Sequence, residues 1–104
     1  MTLVQLLVWG LLLLLQNASF TMVSRARNSG SYAYHAFASV CSNGVWFASM
    51  FFVVDAMAKI REASSFGLAV AYGIFYTALT VVASVGMHWL LVTYVEKGKR
   101  KVGA

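Results

Sequence analysis

The sequence predicts an all-α integral membrane protein: three transmembrane helices in a compact bundle, forming one membrane domain. Three observations carry this. Hydrophobic residues make up 61% of the 104 residues and charged residues only 11%, and so short a chain cannot hide that much apolar surface from water. The apolar residues fall into three blocks, 2–23, 31–57 and 66–95, each long enough to supply the roughly 20 helical residues that cross a hydrocarbon core. The chain contains no proline, and its blocks are far longer than the strand of about 10 alternating residues found in a membrane barrel.

The first block is expected to be a retained span and not a cleaved signal. A signal peptide carries positive charge before its apolar core, whereas residues 1–17 hold no Lys or Arg and the first basic residues, Arg25 and Arg27, follow the block. Gln16, Asn17, Ser19 and Thr21 then fall in the last turns of the span, within reach of headgroups or a neighbouring helix. Asn28, Ser29, Gly30 and Ser31 supply turn chemistry for a short first loop. Asn17-Ala18-Ser19 matches a glycosylation sequon, but a tripeptide at a span end is read as a chance match.

Basic residues set the expected orientation. With three spans, the first loop (Arg25, Arg27) and the tail at 96–104 (Lys97, Lys99, Arg100, Lys101) share one side, while Lys59 and Arg61 are on the other. Six against two places the C-terminus in the cytoplasm and the N-terminus outside. The same six residues are expected to face anionic lipid headgroups. Nucleic acid is not an expected partner, because the tail lacks aromatic stacking groups.

Polar residues in a span face protein or water. Gln5 and Gln16 share a face of the first helix; His35, Ser39, Ser42 and Trp46 share one on the second; Ala69, Gly73, Thr77, Thr80, Ser84 and His88 form a long stripe on the third. Small residues four apart let backbones approach closely, and Gly67/Ala71, Ala69/Gly73, Ala38/Ser42 and Gly44/Ala48 fit that pattern. The stripe on the third span has three readings: it holds the three helices of one chain together, it joins copies in a homo-oligomer, or it lines a water path. Asn43 is expected to hydrogen-bond between helices, with a loosened turn at Gly44 as the alternative.

Asp55, the one acid inside a span, has Lys59 four residues on and is expected to pair with it at the membrane edge. His35 and His88 are read as hydrogen-bonded packing residues; should they meet, two ligands without a third would make only a weak metal site. Cys41, the single cysteine, is read as a small packing residue. Tyr32, Tyr34, Trp89 and Tyr94 suit the aromatic belts, and Trp46 is expected to pack inside. No nucleophile-base-acid set, phosphate loop, carboxylate pair or ligand cluster is visible, so neither an enzyme nor a cofactor is expected.

In gross layout the chain resembles the class I phage holins: about a hundred residues, three spans, short loops, N-terminus out, and a basic cytoplasmic tail. The resemblance is one of architecture and carries no residue roles. The resemblance implies accumulation in the bacterial inner membrane, lateral self-association and a permeabilising lesion. Two other readings come from different classes: a selective ion or small-solute channel or transporter protomer, with Asn43, Thr77, Thr80 and Ser84 along a narrow path, and a non-catalytic accessory or inhibitory subunit of a larger membrane complex.

Overall fold

A computed structural model describes residues 2–62 and 65–97. It contains three helices long and apolar enough to cross a membrane: α1 (Leu3–Arg27), α2 (Tyr32–Arg61) and α3 (Phe66–Leu90), the last running directly into a π turn, Leu91–Val95.

Each helix begins on a hydroxyl cap. Thr2 accepts from the Gln5 backbone N–H while the Gln5 side chain accepts from the Thr2 N–H, a reciprocal capping box. Ser31 accepts from Tyr34 N–H at 3.2 Å and Ser65 from Leu68 N–H at 3.1 Å. Gln5, expected as a polar residue within the membrane, is therefore occupied in capping at the helix end.

The first two helices each run four residues past the ends of their apolar blocks. Ser24–Arg27 and Ala58–Arg61 contain no proline or glycine, and the basic residues there complement the negative end of the helix dipole. Asn28 then stops α1, its amide donating to the Ser24 carbonyl at 2.8 Å, and Ser29 Oγ donates to the Ala26 carbonyl at 2.7 Å. The extension relocates Asn17. Expected in the last turns of a span, it lies nearly three turns before the end of α1.

Helix α1 is central: it packs along both α2 and α3, which barely touch each other. Its seam with α2 is built from small residues. The buried positions of α2 are Ala38, Ser42, Ser49 and Ala56, spaced by four, seven and seven; Ala38 packs with Ala26 of α1, and Ala56 with Trp9 and Leu13. A seven-residue repeat of small side chains lets two helices run close over a long distance. Against α3, the close approach is at Gly10, where a Cβ would lie 3.1 Å from Phe75 Cζ and 3.2 Å from Leu79 Cδ1.

The core divides into two ends. Trp9, Leu13 and Ala56 pack with Tyr72, Phe75 and Leu79 at one end; Met22, Ala26, Ala38 and Leu91 pack with Tyr34, Cys41 and Met87 at the other. Cys41 is a packing residue, as its setting predicts. Outside these clusters large side chains such as Leu7, Phe37, Phe51, Ile74 and Val82 are exposed, the arrangement expected when the solvent is lipid.

Several expected packing positions do not pack within the chain. Gly44, Gly67 and Gly73 have nothing within 4 Å of a Cβ position, and Ala48, Ala71 and Thr77 are exposed. Ala69 is half-buried, and Ala83 is the only buried residue of α3. The stripe on the third span is thus open at Gly73 and Thr77, while Thr80 and Ser84, like Ala69, are half-buried. Of the small-residue pairs, Ala38/Ser42 alone makes the seam. Trp46, expected inside, is 48% exposed; the aromatic that does pack inside is Trp9, with ring centroids 5.5 Å from Phe75 and 6.4 Å from Tyr76.

Candidate functional site

Two polar features mark the end of the molecule where α1 and α3 finish and α2 begins. The first is an ion cluster. Arg25 Nε donates to Glu96 Oε2 at 2.7 Å and Arg25 Nη2 donates to Glu96 Oε1 at 2.6 Å, a two-point pair whose carboxylate also accepts from the Tyr34 hydroxyl at 3.3 Å. All three helices thus contribute. The Glu96 side chain is only 4% exposed and that of Arg25 27%. The guanidinium hydrogen bond holds the Glu96 carboxyl below the usual carboxylate range despite its burial, with further help from the Arg25 charge, the Tyr34 hydroxyl and the nearby His88.

The π turn places this carboxylate. Glu96 N–H donates to the Leu91 carbonyl at 2.7 Å, five residues back. One extra residue in a turn rotates everything beyond it by about 100° relative to a continuing α-helix. That rotation coincides with a buried Leu91 and a Glu96 turned onto α1. Lys97 follows with a left-handed backbone, φ 52°, which ends the helix.

The second feature is a groove of about 340 Å³ between α1 and α3, lined by Asn17, Phe20, Thr21, Ser24, Arg25, Ser84 and His88. It runs from the ion cluster toward the middle of the spans. The side-chain hydrogen bonds made along the middle of the helices are local: Asn17 to the Leu13 carbonyl, Ser49 to Val45, Thr77 to Gly73 and Thr80 to Thr77. Such back-bonds satisfy a hydroxyl hydrogen without linking helices. Among the described residues, the Glu96 cluster holds the only side-chain hydrogen bonds that cross from one helix to another.

The expected site residues therefore separate. Ser84 and His88 come together with Asn17, whereas Thr77 and Thr80 lie further along α3 and bond to their own helix. Asn43 is exposed on α2 and makes no bridge between helices within the chain, and Gly44 beside it sits in regular helix. His35, half-buried in the first turn of α2, is not part of the groove that holds His88. Gln16 lines a separate apolar groove with Tyr72, Gly73 and Tyr76, where α2 and α3 diverge. Asp55 and Lys59 pair at 3.5 Å at the far end of α2, as their spacing predicts. Arg25, expected to face lipid headgroups, is instead paired with Glu96; Arg27 and Lys97 are exposed. Lys99, Arg100 and Lys101 lie outside the described residues. No group of three or more His, Cys, Asp or Glu side chains that could hold a metal occurs among the described residues.

Glu96 is the site residue that the sequence reading passes over. A signal for it exists: the chain has three acids, and Glu96 alone stands on the side that three spans assign to Arg25 and the tail. A lone acid at a span end among six basic residues is a natural partner for the one nearest in depth. No protein-family model, curated protein or solved structure matches the chain.

Proposed function

We propose that the protein is a small self-associating membrane protein that permeabilises or conducts across a bacterial-type inner membrane, with its N-terminus outside and its C-terminus in the cytoplasm, as a class I phage holin does. The observation that carries this reading is the polar surface that makes no side-chain hydrogen bond to another helix of the chain. Asn17, Thr21, Ser84 and His88 line an open groove and Asn43 is exposed, while lipid offers such groups neither donors nor acceptors. Copies of the chain can supply what the lipid lacks, and water drawn between them gives a path for solute. Glycine backbone left open at Gly44, Gly67 and Gly73 adds surfaces on which neighbouring helices can approach closely.

Reconstitution tests the reading. Purified protein in liposomes should release a trapped dye or dissipate an ion gradient, with steeper than linear dependence on the protein-to-lipid ratio. A reporter that works only in the cytoplasm should be active when fused after Ala104 and silent at the N-terminus. Absence of flux at every ratio would end the permeabilising reading; stoichiometric co-purification with one host complex would replace it with an accessory or inhibitory subunit.

A further inference from the structure

Beyond self-association itself, which this inference takes from the reading above, the fold fixes which surfaces can meet. The ion cluster supplies a common depth marker, because Arg25 of α1, Tyr34 of α2 and Glu96 of α3 touch there. From that level, Asn17 is eight residues along α1 (25 to 17), Asn43 nine along α2 (34 to 43) and His88 eight along α3 (96 to 88). At 1.5 Å per residue all three lie about 12–14 Å from the cluster.

The match extends along the helices. On α2, His35, Ser39 and Asn43 are four apart and so share one face, at one, five and nine residues from Tyr34. On α1, Ser24, Thr21 and Asn17 line the groove, at one, four and eight residues from Arg25. The two polar ladders therefore have rungs at the same depths, within about one residue. They occupy different places on the chain: the groove is walled by α1 and α3, and no residue of α2 lines it. Within one chain the two ladders are not joined by any side-chain hydrogen bond among the described residues.

Insertion in a single topology gives every copy the same direction and depth, so copies differ only by translation in the membrane plane and rotation about its normal. Residues at one depth in one copy can meet residues at that depth in the next. We propose that copies of this chain join head to tail, the His35–Ser39–Asn43 face of α2 in one copy seated in the α1/α3 groove of its neighbour. The chemistry is complementary. Arg25 spends Nε and Nη2 on Glu96 and keeps Nη1 as a donor at the groove mouth, opposite the level of His35; hydroxyls face hydroxyls at the next rung; two amides, Asn17 and Asn43, each with donors and an acceptor, face each other at the deepest. Because the two surfaces differ, the contact is heterologous, and repetition about an axis along the membrane normal gives a ring if the rotation closes and an open chain of copies if it does not.

Disulfide trapping in membranes tests this. In a Cys41→Ala background, two differently tagged copies are co-expressed, one carrying Ser39→Cys and the other Thr21→Cys, which share a rung, and treated with a lipid-soluble oxidant. The expected product is a dimer bearing both tags, with neither single variant dimerising alone, and a chain carrying both cysteines should give a ladder of multimers. Asn43→Cys with His88→Cys, level with it on α3, repeats the test from the other wall of the groove. Dimers from Ser39→Cys or Asn43→Cys alone, or no mixed dimer with either pair, overturn the interface. The mass of the Cys41→Ala protein in nanodiscs separates the two ideas: an oligomer without mixed dimers removes this interface and leaves self-association standing, whereas a monomer removes both.

Discussion

Arg25 and Glu96, 71 residues apart in the chain, form a two-point ion pair that fastens the end of α3 to the end of α1. Helices α2 and α3 scarcely touch, so the position of α3 depends mainly on α1, through Trp9 and Gly10 at one end and this pair at the other, with Tyr34 of α2 adding one hydrogen bond to Glu96. Association between helices in lipid gains little from hydrophobicity, since acyl chains are as apolar as leucine. A charged contact at the helix ends is correspondingly valuable for holding one arrangement.

Removing either partner should therefore loosen α3. A double-mutant cycle with Arg25→Ala and Glu96→Gln, followed by unfolding in mixed micelles, should return a coupling of about 1.5–3 kcal/mol, the range for hydrogen bonds to charged groups. It should fall short of the roughly 3–5 kcal/mol lost when a fully buried pair is broken, because Arg25 keeps 27% of its side-chain surface open. A coupling near zero would show that the pair does not help to hold the helices.

The same pair sets a pH dependence. Glu96 has its pKa lowered in the fold, chiefly by the Arg25 hydrogen bond, so the folded state binds the proton less readily than the unfolded chain does. Its contribution is complete above the ordinary glutamate value of about 4.3 and disappears as the pH falls through the lower folded value. Stability in micelles should decline on acidification through that window, and Glu96→Gln should flatten this part of the curve while lowering stability at neutral pH. An equal decline in both proteins would assign the effect to other carboxyls.

Two glycines should behave oppositely. Gly10→Leu adds side-chain atoms where even a Cβ meets Phe75 and Leu79 at 3.1 and 3.2 Å, and should destabilise the single chain by about 1–3 kcal/mol through overpacking. At Gly73 a Cβ would meet nothing within 4 Å and the position borders an open groove, so with Gly73→Leu the chain should retain its stability. Any change in oligomer mass with Gly73→Leu then reports a contact between copies. A large loss of monomer stability with Gly73→Leu, or none with Gly10→Leu, would contradict this packing.

The contrast between these glycines shows what the sequence could and could not convey. Block length alone specifies three spans, because crossing a hydrocarbon core requires a fixed number of apolar residues. Block length does not specify which side of a helix faces protein, since leucine suits lipid and core alike. Trp9 and Trp46 are indistinguishable on that basis, yet one is buried and the other exposed. Small residues are equally ambiguous: Ala38 and Ser42 make the seam with α1 while Gly44 and Ala48, on the same helix, lie outside it. What distinguishes them is the seven-residue recurrence through Ser49 and Ala56, which a search for pairs four apart misses. Glu96 is obscured by the basic residues around it, and its role emerges only when the π turn swings it onto α1.

The final prediction weighs the two asparagines. Placing Asn17 near a span end would make Asn17→Leu the milder change, but it lies well inside α1, on the groove, at the depth of Asn43. Its amide nitrogen already donates to the Leu13 carbonyl at 3.0 Å, which leaves its second amide hydrogen and its carbonyl oxygen for a neighbour. Asn43, exposed on α2, brings donors and an acceptor of its own. Hydrogen bonds of this kind in membranes contribute about 0.6–2 kcal/mol, equivalent to a loss of about threefold to thirtyfold in association constant. Asn17→Leu and Asn43→Leu should each leave insertion intact, weaken self-association within that range and lower liposome leakage in parallel. Combining them should cost little more than either alone, because the second substitution removes a group whose partner has already gone. Fully additive losses would mean that the two amides serve separate contacts, and unchanged leakage in both variants would place the conducting surface elsewhere on the chain.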